Sequence, residues 1–463
     1  MKNIRLTALS AALLASFAAP AMAQSNEELL KELKALRARV EELEKKVAAQ
    51  PQQAQAAKPA EPKWGMTPEQ VQDFNRIAVK TEAIEDQLES QGYKGLKVSG
   101  YIEPAFVYNQ RQERAGFQFL NQQADGYAYD TSYIGSASID FTKEVEGGTI
   151  WKLTLTPNRG VGAAIDGASI VQEATVAIPL GSLQTRLVVG QIPDWSGYEY
   201  QQPTLNPFTS HNLLYDFTLP VGYTGIGISH TEGKWWLRGA IGNVNSTIRG
   251  PGEKAPALVY RVDYSKGEFD GWGLAGLHGK TANFNYENKR TMSHLFEVDG
   301  YYLRGDWALQ GQVSFGTQKE GAITPDAEGN FRDSRWWGIS GLAGYMFTPR
   351  LQGLVRADYI NNKANGGGLF GYNGYSYFDD EAGEFVYGND GRNGIGPDLA
   401  GDLNRGANRY ALTVGMKYAY DLSTTFKLEY RLDGADRAVF EDLNDGTYKK
   451  NNSLVAASVV VAF

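Results

Sequence analysis

The chain has no cysteine and few histidines, and both scarcities limit the chemistry open to it. The absence of cysteine avoids stray oxidation and fits a protein kept outside the cytosol. There are only 4 His, at positions 211, 230, 278 and 294. None of them pairs locally with a second metal ligand or with a serine-centred motif. We therefore predict no catalytic residue, no metal site and no cofactor, and we expect the protein not to be an enzyme.

Long apolar runs and excess positive charge are also missing. The mean hydropathy is −0.39, and no run is long enough for a membrane-spanning helix. If the protein lies in a membrane, only a closed β-barrel remains possible. Loss of Lys2 and Arg5 with a cleaved leader reduces the 45 basic residues to 43, against 53 acidic ones, so the net charge becomes about −10. This balance argues against nucleic acid as a partner.

Three segments of the N-terminal region are distinguished by composition. Residues 1–23 have the form of a secretory signal peptide, with Lys2 and Arg5 before an apolar stretch and Ala21-Met22-Ala23 as a small-x-small cleavage site. Residues 50–66 are rich in Gln, Ala and Pro and form a predicted linker. Residues 67–92 are predicted to be helical, because a capping box follows residue 67. This helical segment could extend a periplasmic stalk or plug a pore.

Residues 24–49 carry a heptad pattern. Their apolar side chains are spaced alternately four and three residues apart. They are Leu29, Leu33, Leu36, Val40, Leu43 and Val47. This spacing predicts a coiled-coil stalk that joins copies of the chain, and a lone charged helix is the alternative. Valine at the a positions with leucine at d leans towards two strands, so the pattern does not fix the number of copies.

From residue 96 to residue 463, apolar residues alternate with polar ones, as in β-strands. The clearest strand spans residues 424–433, where Lys427, Glu429, Arg431 and Asp433 share one side and the other side is apolar. Four charges on one face cannot meet a dry core without a large desolvation cost, but they can line water. The apolar side must then meet lipid or protein. This is the pattern of a transmembrane barrel.

The number and spacing of the strands support the same fold. Strand centres can be placed near residues 101, 137, 153, 175, 187, 226, 237, 260, 275, 298, 313, 341, 355, 414, 428 and 459. Tight turns are predicted around Glu146, Gly181, Gly233, Lys266, Gly305, Thr348 and Leu422, and long connections over residues 110–130, 193–221 and 361–405. We therefore predict an all-β, antiparallel, up-and-down transmembrane β-barrel of about 16 strands, preceded by the coiled-coil stalk. A soluble β-sandwich is the alternative.

The last strand ends on Phe463, with Val455, Ala457, Val459 and Val461 on one apolar face. In a soluble protein such an end would be an aggregation-prone edge. The edge disappears if this strand pairs with the first one and closes the barrel. A barrel of about 16 strands is too wide to be filled by its own side chains and leaves an aqueous channel.

The connection over residues 193–221, which is the third loop at the end of the barrel with the longer connections, carries a resemblance to a known family. One stretch is similar to the corresponding stretch of the OmpL-like β-barrel porins: Gly190-Gln191-Ile192-Pro193, then Gly197-Tyr198-Glu199, and then Asn206, Ser210, Leu213, Leu214, Pro220, Thr224 and Gly225. It resembles more loosely the phosphate-selective porins of Gram-negative outer membranes, and the stalk resembles that of some sugar porins. The resemblance implies that the third loop constricts the channel and that three barrels associate. It also implies that Phe463 is read by the barrel assembly machinery during insertion.

Charged residues of both signs are predicted to face the lumen. Arg186, Arg238 and Lys152 are predicted to form a basic ladder that faces Asp194 and Glu199 across the constriction. Arg261, Arg356, Lys427, Glu429 and Arg431 complete the predicted lumen set, and ordinary wetted wall residues are the alternative. The signs nearly balance, so a preference for anions or cations is not predicted. The loop aromatics Trp195, Tyr198, Tyr200 and Phe208 could either stack on sugars or pack the loop to the wall.

These observations predict a porin in the outer membrane with a periplasmic stalk. Small hydrophilic solutes and ions would diffuse passively through it, and its partners would be outer-membrane lipid and further copies of the chain. The alternative function is a structural anchor, whose coiled coil tethers the membrane to the cell wall.

Overall fold

The computed structural model describes residues 76, 79–80, 93, 95–120, 134–157, 170–245, 256–265, 269–283, 289–322, 328, 330–364, 375–379, 384–388 and 406–463. The chain divides into two compact units, Met1–Ser90 and Gln91–Phe463. The predicted signal peptide, stalk and linker lie outside the described residues. Within the predicted helical segment 67–92, the structure describes three residues, and all of them are in a helix: Arg76, Val79 and Lys80. No described helix has the length and apolar character needed to cross a membrane, a finding that does not concern strands.

The described part of the second unit consists mainly of β-strands, with one short helix. The elements are β1 (Leu96–Ile102), β2 (Ala105–Asn109), β3 (Arg114–Gln118), β4 (Ala137–Glu144), β5 (Ile150–Leu155), β6 (Val171–Pro179), β7 (Thr185–Pro193), α1 (Leu213–Thr218), β8 (Gly222–Glu232), β9 (Trp235–Val244), β10 (Ala257–Ser265), β11 (Asp270–Ala282), β12 (Arg290–Arg304), β13 (Trp307–Gln318), β14 (Ser334–Met346), β15 (Leu351–Ala364), β16 (Tyr375–Asp379), β17 (Glu384–Gly388), β18 (Arg409–Ala419), β19 (Thr424–Ala435), β20 (Phe440–Asp442), β21 (Thr447–Lys449) and β22 (Asn451–Ala462).

Eighteen of these strands form one antiparallel sheet that closes on itself. β1 and β2 are two halves of one interrupted strand and share one position of the ring. β3 and β4 share the next position in the same way, since β2 pairs with β3 and β1 pairs with β4. The ring therefore has 16 positions: β1 with β2, β3 with β4, β5 to β15, and then β18, β19 and β22. The predicted barrel of about 16 strands is confirmed, and each predicted strand centre falls within one of these positions.

The chain termini of the barrel meet at its closure. β22 pairs with β19 on one side and with β1 and β2 on the other. The amide of Phe463 donates to the carbonyl of Gly100 at 3.0 Å, and the amide of Gly100 donates to the carbonyl of Phe463 at 3.1 Å. A Cβ on Gly100 would lie 2.7 Å from the Phe463 ring, so glycine is needed where the ring crosses the strand. This pairing leaves no open edge in the described sheet.

Short turns lie at one end of the barrel, which we call the short-turn end, and the longer connections lie at the long-loop end. Six of the seven predicted tight turns are confirmed by the strand boundaries, and the seventh, around Lys266, lies outside the described residues. The predicted long connection over residues 110–130 is wrong. Asn109 pairs directly with Arg114, so only residues 110–113 form this hairpin turn. The inserted segment instead interrupts the next position of the ring, where the amide of Leu120 donates to the carbonyl of Gly135 at 2.6 Å.

The two faces of the sheet confirm the predicted distribution of polarity. In β19, Tyr430 is 45% exposed and points outward, whereas the neighbouring Arg431 is 0% exposed and points into the barrel. Outward apolar residues continue around the ring, for example Val298, Val313 and Val355. A water-soluble protein would place these faces the other way round. The soluble β-sandwich is therefore excluded, because the sheet is a single closed ring with its charges inside.

Candidate functional site

Residues 194–221 connect β7 to β8 and cross the interior of the barrel. The segment leaves the near wall where the amide of Asp194 donates to the carbonyl of Val221 at 3.1 Å. The hydroxyl of Tyr198 then lies 2.6 Å from that of Ser340, on β14. β7 occupies the fifth position of the ring and β14 the twelfth, so the two strands lie nearly opposite each other. We call residues 194–221 the crossing loop.

A buried arginine of the far wall holds the crossing loop. Arg356 on β15 donates from Nη1 to the carboxylate of Glu199 at 2.9 Å and to the carbonyl of Ser210 at 2.8 Å. Its Nη2 donates to the carbonyl of His211 at 2.9 Å. That carbonyl also accepts from Arg431 Nη1 at 2.8 Å. The side chains of Arg356 and Arg431 are both fully buried.

Two further charges on β19 bind the backbone of the same loop. Lys427 Nζ donates to the carbonyls of Pro203 at 2.7 Å and Phe208 at 3.1 Å. The Glu429 carboxylate accepts from the amides of Thr209 at 2.8 Å and Ser210 at 3.1 Å. A loop without secondary structure leaves its backbone groups unpaired. The charged wall supplies the missing partners, and charge-assisted hydrogen bonds are the strong ones.

The short helix α1 anchors the loop by apolar packing. Asn212 is its N-cap, and its side-chain oxygen accepts from the amide of Tyr215 at 2.8 Å. Leu213, Leu214 and Phe217 are completely buried, and the helix packs against β13, β14 and β15. A Cβ on Gly338 would collide with the Leu214 side chain, so this glycine allows the helix to approach the wall. The sequence reading missed α1, although Asn212 before two leucines is a helix-start signal.

A cavity of about 560 Å³ remains between the crossing loop and the near wall. Its wall side is charged, and the charges occur in pairs. Lys152 Nζ lies 2.7 Å from the Glu173 carboxylate, and Arg238 Nη2 lies 2.7 Å from that of Asp263. Arg261 Nη1 lies 2.6 Å from Asp299. Acid and base balance each other along this wall, so the cavity is polar without a strong net charge.

Aromatic side chains of both the wall and the crossing loop also line this cavity. Arg238 stacks on Trp236 at 3.8 Å from the ring centroid and lies 5.2 Å from that of Trp195. Tyr200 also lines the cavity and is exposed. Tyr198 and Phe208 are instead buried among wall leucines and pack the loop to the far wall. The sequence reading missed Trp236, although it lies two residues before Arg238 and therefore on the same face of β9.

The structure separates the predicted lumen residues into two groups and leaves Arg186 outside both. Lys152, Arg238, Arg261, Asp194 and Glu199 line the cavity. The second group faces inward but is covered by the crossing loop; its members are Arg356, Lys427, Glu429 and Arg431. Arg186 belongs to neither group, because its Nη1 donates to the carbonyl of Gly148 in a turn at the short-turn end.

The predicted opposition of a basic ladder and two loop carboxylates is not what the hydrogen bonds show. The Asp194 carboxylate accepts from the Tyr223 hydroxyl and, at 3.0 Å, from the amide of Ser196. Glu199 binds Arg356 and accepts from the amide of Asn212 at 2.7 Å. Both carboxylates therefore stabilise the crossing loop. Neither forms a salt bridge with Lys152 or Arg238, whose acidic partners belong to the wall.

Burial shifts the pKa values of titratable groups on the crossing loop. Burial raises the pKa of the Asp216 carboxyl to about 7, although Arg431 acts in the opposite direction. Burial lowers the pKa of His211 to about 3, so its imidazole is neutral. His211 Nε2 lies 3.0 Å from the carbonyl of Tyr200, and its ring stacks on Tyr215 at 4.1 Å. The described residues contain no group of three His, Asp or Glu side chains that could hold a metal ion.

A family model described as "Protein of unknown function (DUF3138)" matches residues 1–250 and 275–463. The chain belongs to this family. No curated protein matches the DUF3138 chain. Membership of the OmpL-like porins, which residues 190–225 resemble, stays a prediction.

Several solved structures are similar to the DUF3138 chain over most of their length. OmpT of Vibrio cholerae, folded in vitro, has 10% identity and a TM-score of 0.47, covering 80% of this chain and 97% of that one. An anion-selective porin from Comamonas acidovorans has 10% identity and a TM-score of 0.49, covering 80% and 99%. Salmonella typhi OmpF in complex with daunomycin has 11% identity and a TM-score of 0.48, covering 80% and 97%. These values are too low to transfer a property of those proteins.

Proposed function

We propose that the protein is an outer-membrane porin, a passive diffusion channel for small hydrophilic solutes and ions. One observation carries the proposal: a closed ring of strands buries its charged residues inside and exposes its large apolar residues outside. Hydrocarbon accepts a sheet only when every backbone group is paired around a closed ring. Lipid of the outer membrane is then the partner of the apolar surface, and the polar interior surrounds water.

The crossing loop would narrow this channel. It spans the interior between nearly opposite strands, and the remaining cavity beside it has mixed character. The acid–base pairs of this cavity, Lys152 with Glu173 and Arg238 with Asp263, leave little net charge. A constriction of this kind favours small polar solutes over large ones and discriminates weakly between ions of opposite sign. The resemblance of residues 190–225 to OmpL-like porins supports the same assignment.

The N-terminal region would add oligomerisation to this channel. In our proposal the heptads of residues 24–49 join three copies of the chain into a trimer with a periplasmic stalk. Phe463, whose ring lies outward at the barrel closure, would serve as the insertion signal for the barrel assembly machinery. The second candidate function is a structural anchor that tethers the membrane to the cell wall through the same stalk.

Swelling of liposomes containing the purified full-length protein tests the proposal. A porin admits a small neutral sugar, so the vesicles swell in an isotonic solution of arabinose and not in one of a long dextran. A structural anchor with a sealed barrel gives no swelling in either solution. Heat-modifiable mobility on electrophoresis shows in the same sample that the barrel is folded. Folded protein without swelling would contradict the porin function.

A further inference from the structure

The outer surface of the barrel carries a basic cluster near the long-loop end, on β11 to β14. Going towards that end, the last aromatic row of the apolar surface is formed by Phe296, Phe315 and Trp337, which are direct neighbours on adjacent strands. All three are exposed and face outward. Large aromatic residues of this kind mark the boundary between hydrocarbon and headgroups in membrane barrels.

Polar and basic residues replace the aromatic ones immediately beyond this row. Two residues further along each strand, and on the same outward face, His294 pairs with Thr317, and Thr317 pairs with Arg335. One step beyond them, Lys280 pairs with Met292, and the amide of Lys319 donates to the carbonyl of Met292 at 2.8 Å. Adjacent strands lie about 4.8 Å apart. Arg335 therefore lies beside Thr317 on the neighbouring strand, and Lys319 lies two residues beyond Thr317 on the same outward face.

The cations of this cluster are available to a ligand. Lys280, Lys319 and Arg335 are exposed, and none of them forms a salt bridge within the part of the chain that the structure describes. The nearby carboxylates among the described residues are otherwise engaged: Glu320 pairs with Lys289, and Asp333 accepts from the amide of Glu320 at 3.0 Å. Positive charge therefore exceeds negative charge at this surface.

We propose that Lys280, Lys319, Arg335 and the Thr317 hydroxyl bind the phosphate of a lipid headgroup in the leaflet at the long-loop end. The proposal rests on the membrane location in the proposed function, but not on channel activity. Phosphate oxygens accept hydrogen bonds from lysine, arginine and hydroxyl groups. The acyl chains of such a lipid would descend along Phe296, Phe315 and Trp337, which lie below the cluster on the same face. The basic cluster thus lies at the level of the lipid phosphate, and the apolar surface below it lies at the level of the acyl chains.

The test measures lipid binding to the detergent-solubilised full-length protein by native mass spectrometry. The probes are short-chain phosphatidic acid, phosphatidylcholine with the same chains, and inorganic phosphate. Wild-type protein is expected to retain phosphatidic acid more strongly than the other two. In the Lys319→Glu, Arg335→Glu double variant we expect the dissociation constant for phosphatidic acid to rise about tenfold, since two exposed attractions become repulsions.

A matched variant controls for the change in overall charge. Arg304→Glu with Arg350→Glu makes the same change at two exposed residues of the short-turn end, and it should leave the affinity unchanged. The proposal is overturned if the long-loop variant binds phosphatidic acid like wild type, if both variants lose it equally, or if inorganic phosphate binds as well as the lipid. Liposome swelling should be the same in wild type and in both variants. Failure to swell with intact lipid binding would contradict the porin function alone.

Discussion

Replacement of Arg356 by methionine tests how the crossing loop is held. Arg356 is fully buried and binds the Glu199 carboxylate and the carbonyls of Ser210 and His211. Its Nε also lies 3.3 Å from the Asp358 carboxylate. Arg356→Met keeps much of the side-chain volume but removes the charge. Two buried carboxylates then lose their cation, the Ser210 carbonyl loses its donor, and the His211 carbonyl keeps only its hydrogen bond from Arg431.

The size of the effect follows from the burial of this pair. Removing one partner of a buried ion pair costs about 3–5 kcal/mol, because the other charge stays uncompensated. Each 1.4 kcal/mol or so changes an equilibrium constant tenfold. The ratio of undocked to docked loop should therefore rise by roughly two to four orders of magnitude. The barrel itself should stay folded, since the backbone pairing of β15 with β14 and β18 does not involve the side chain.

The chain offers a clean probe for this equilibrium, because it contains no cysteine. Thr209→Cys places a thiol at a buried position of the crossing loop, and a maleimide reaches it only when the loop undocks. In the Arg356→Met background we expect labelling to accelerate by roughly two to four orders of magnitude. Arg186→Met is the control, since Arg186 binds a turn and not the loop. Labelling of the Arg356→Met variant within about twofold of the Arg186→Met variant would refute the proposed docking.

Three further predictions concern pH, selectivity and closure. Asp216 has a pKa of about 7 in the docked loop against 3.8 for an ordinary aspartate. The docked loop therefore binds a proton that the undocked loop releases, and docking weakens as the pH rises from 3.8 to about 7. Asp216→Asn should slow labelling of the buried thiol most above pH 7, and equal labelling rates with and without this substitution at high pH would disprove the prediction. In a salt gradient, Lys152→Glu with Arg238→Glu should shift the reversal potential to a value that indicates cation selectivity, whereas Arg186→Glu should leave it unchanged. A shift of the reversal potential in the Arg186→Glu variant alone would place the constriction elsewhere. Deletion of Phe463 should lower the heat-modifiable fraction of the protein, because closure loses two backbone hydrogen bonds; an unchanged fraction would show that closure does not need it.

The alternation of residue types was sufficient to predict which face of each strand points inward. In β19 the side of Lys427, Glu429 and Arg431 was assigned from the sequence, and the structure confirms it. The alternation could not predict that the crossing loop covers that face. The loop that covers it lies far away in sequence: Arg356 and Glu199 are 157 residues apart, and Lys427 and Pro203 are 224 apart. A two-residue period contains no information about contacts over such separations.

Short elements were the other source of error. The turn at residues 110–113 was overlooked because β3 has only five residues and is followed by an insertion, so the alternation stops before it can be recognised. Arg186 was assigned to the constriction because it lies close to the crossing loop in sequence. It lies on the correct face of β7 but near the start of that strand, and the crossing loop begins at its other end. The face on which a side chain lies follows from the two-residue alternation of a strand. Its height along the barrel axis requires the register between neighbouring strands.

The most direct test of the central claim is the electrical conductance of the purified full-length protein in a planar lipid bilayer. A closed ring with charges inside and apolar residues outside should insert and give discrete, stable current steps in potassium chloride. The step size should grow with salt concentration, as for a water-filled path, and stay nearly unselective because the cavity pairs its charges. Folded, inserted protein that produces no current steps would contradict the account.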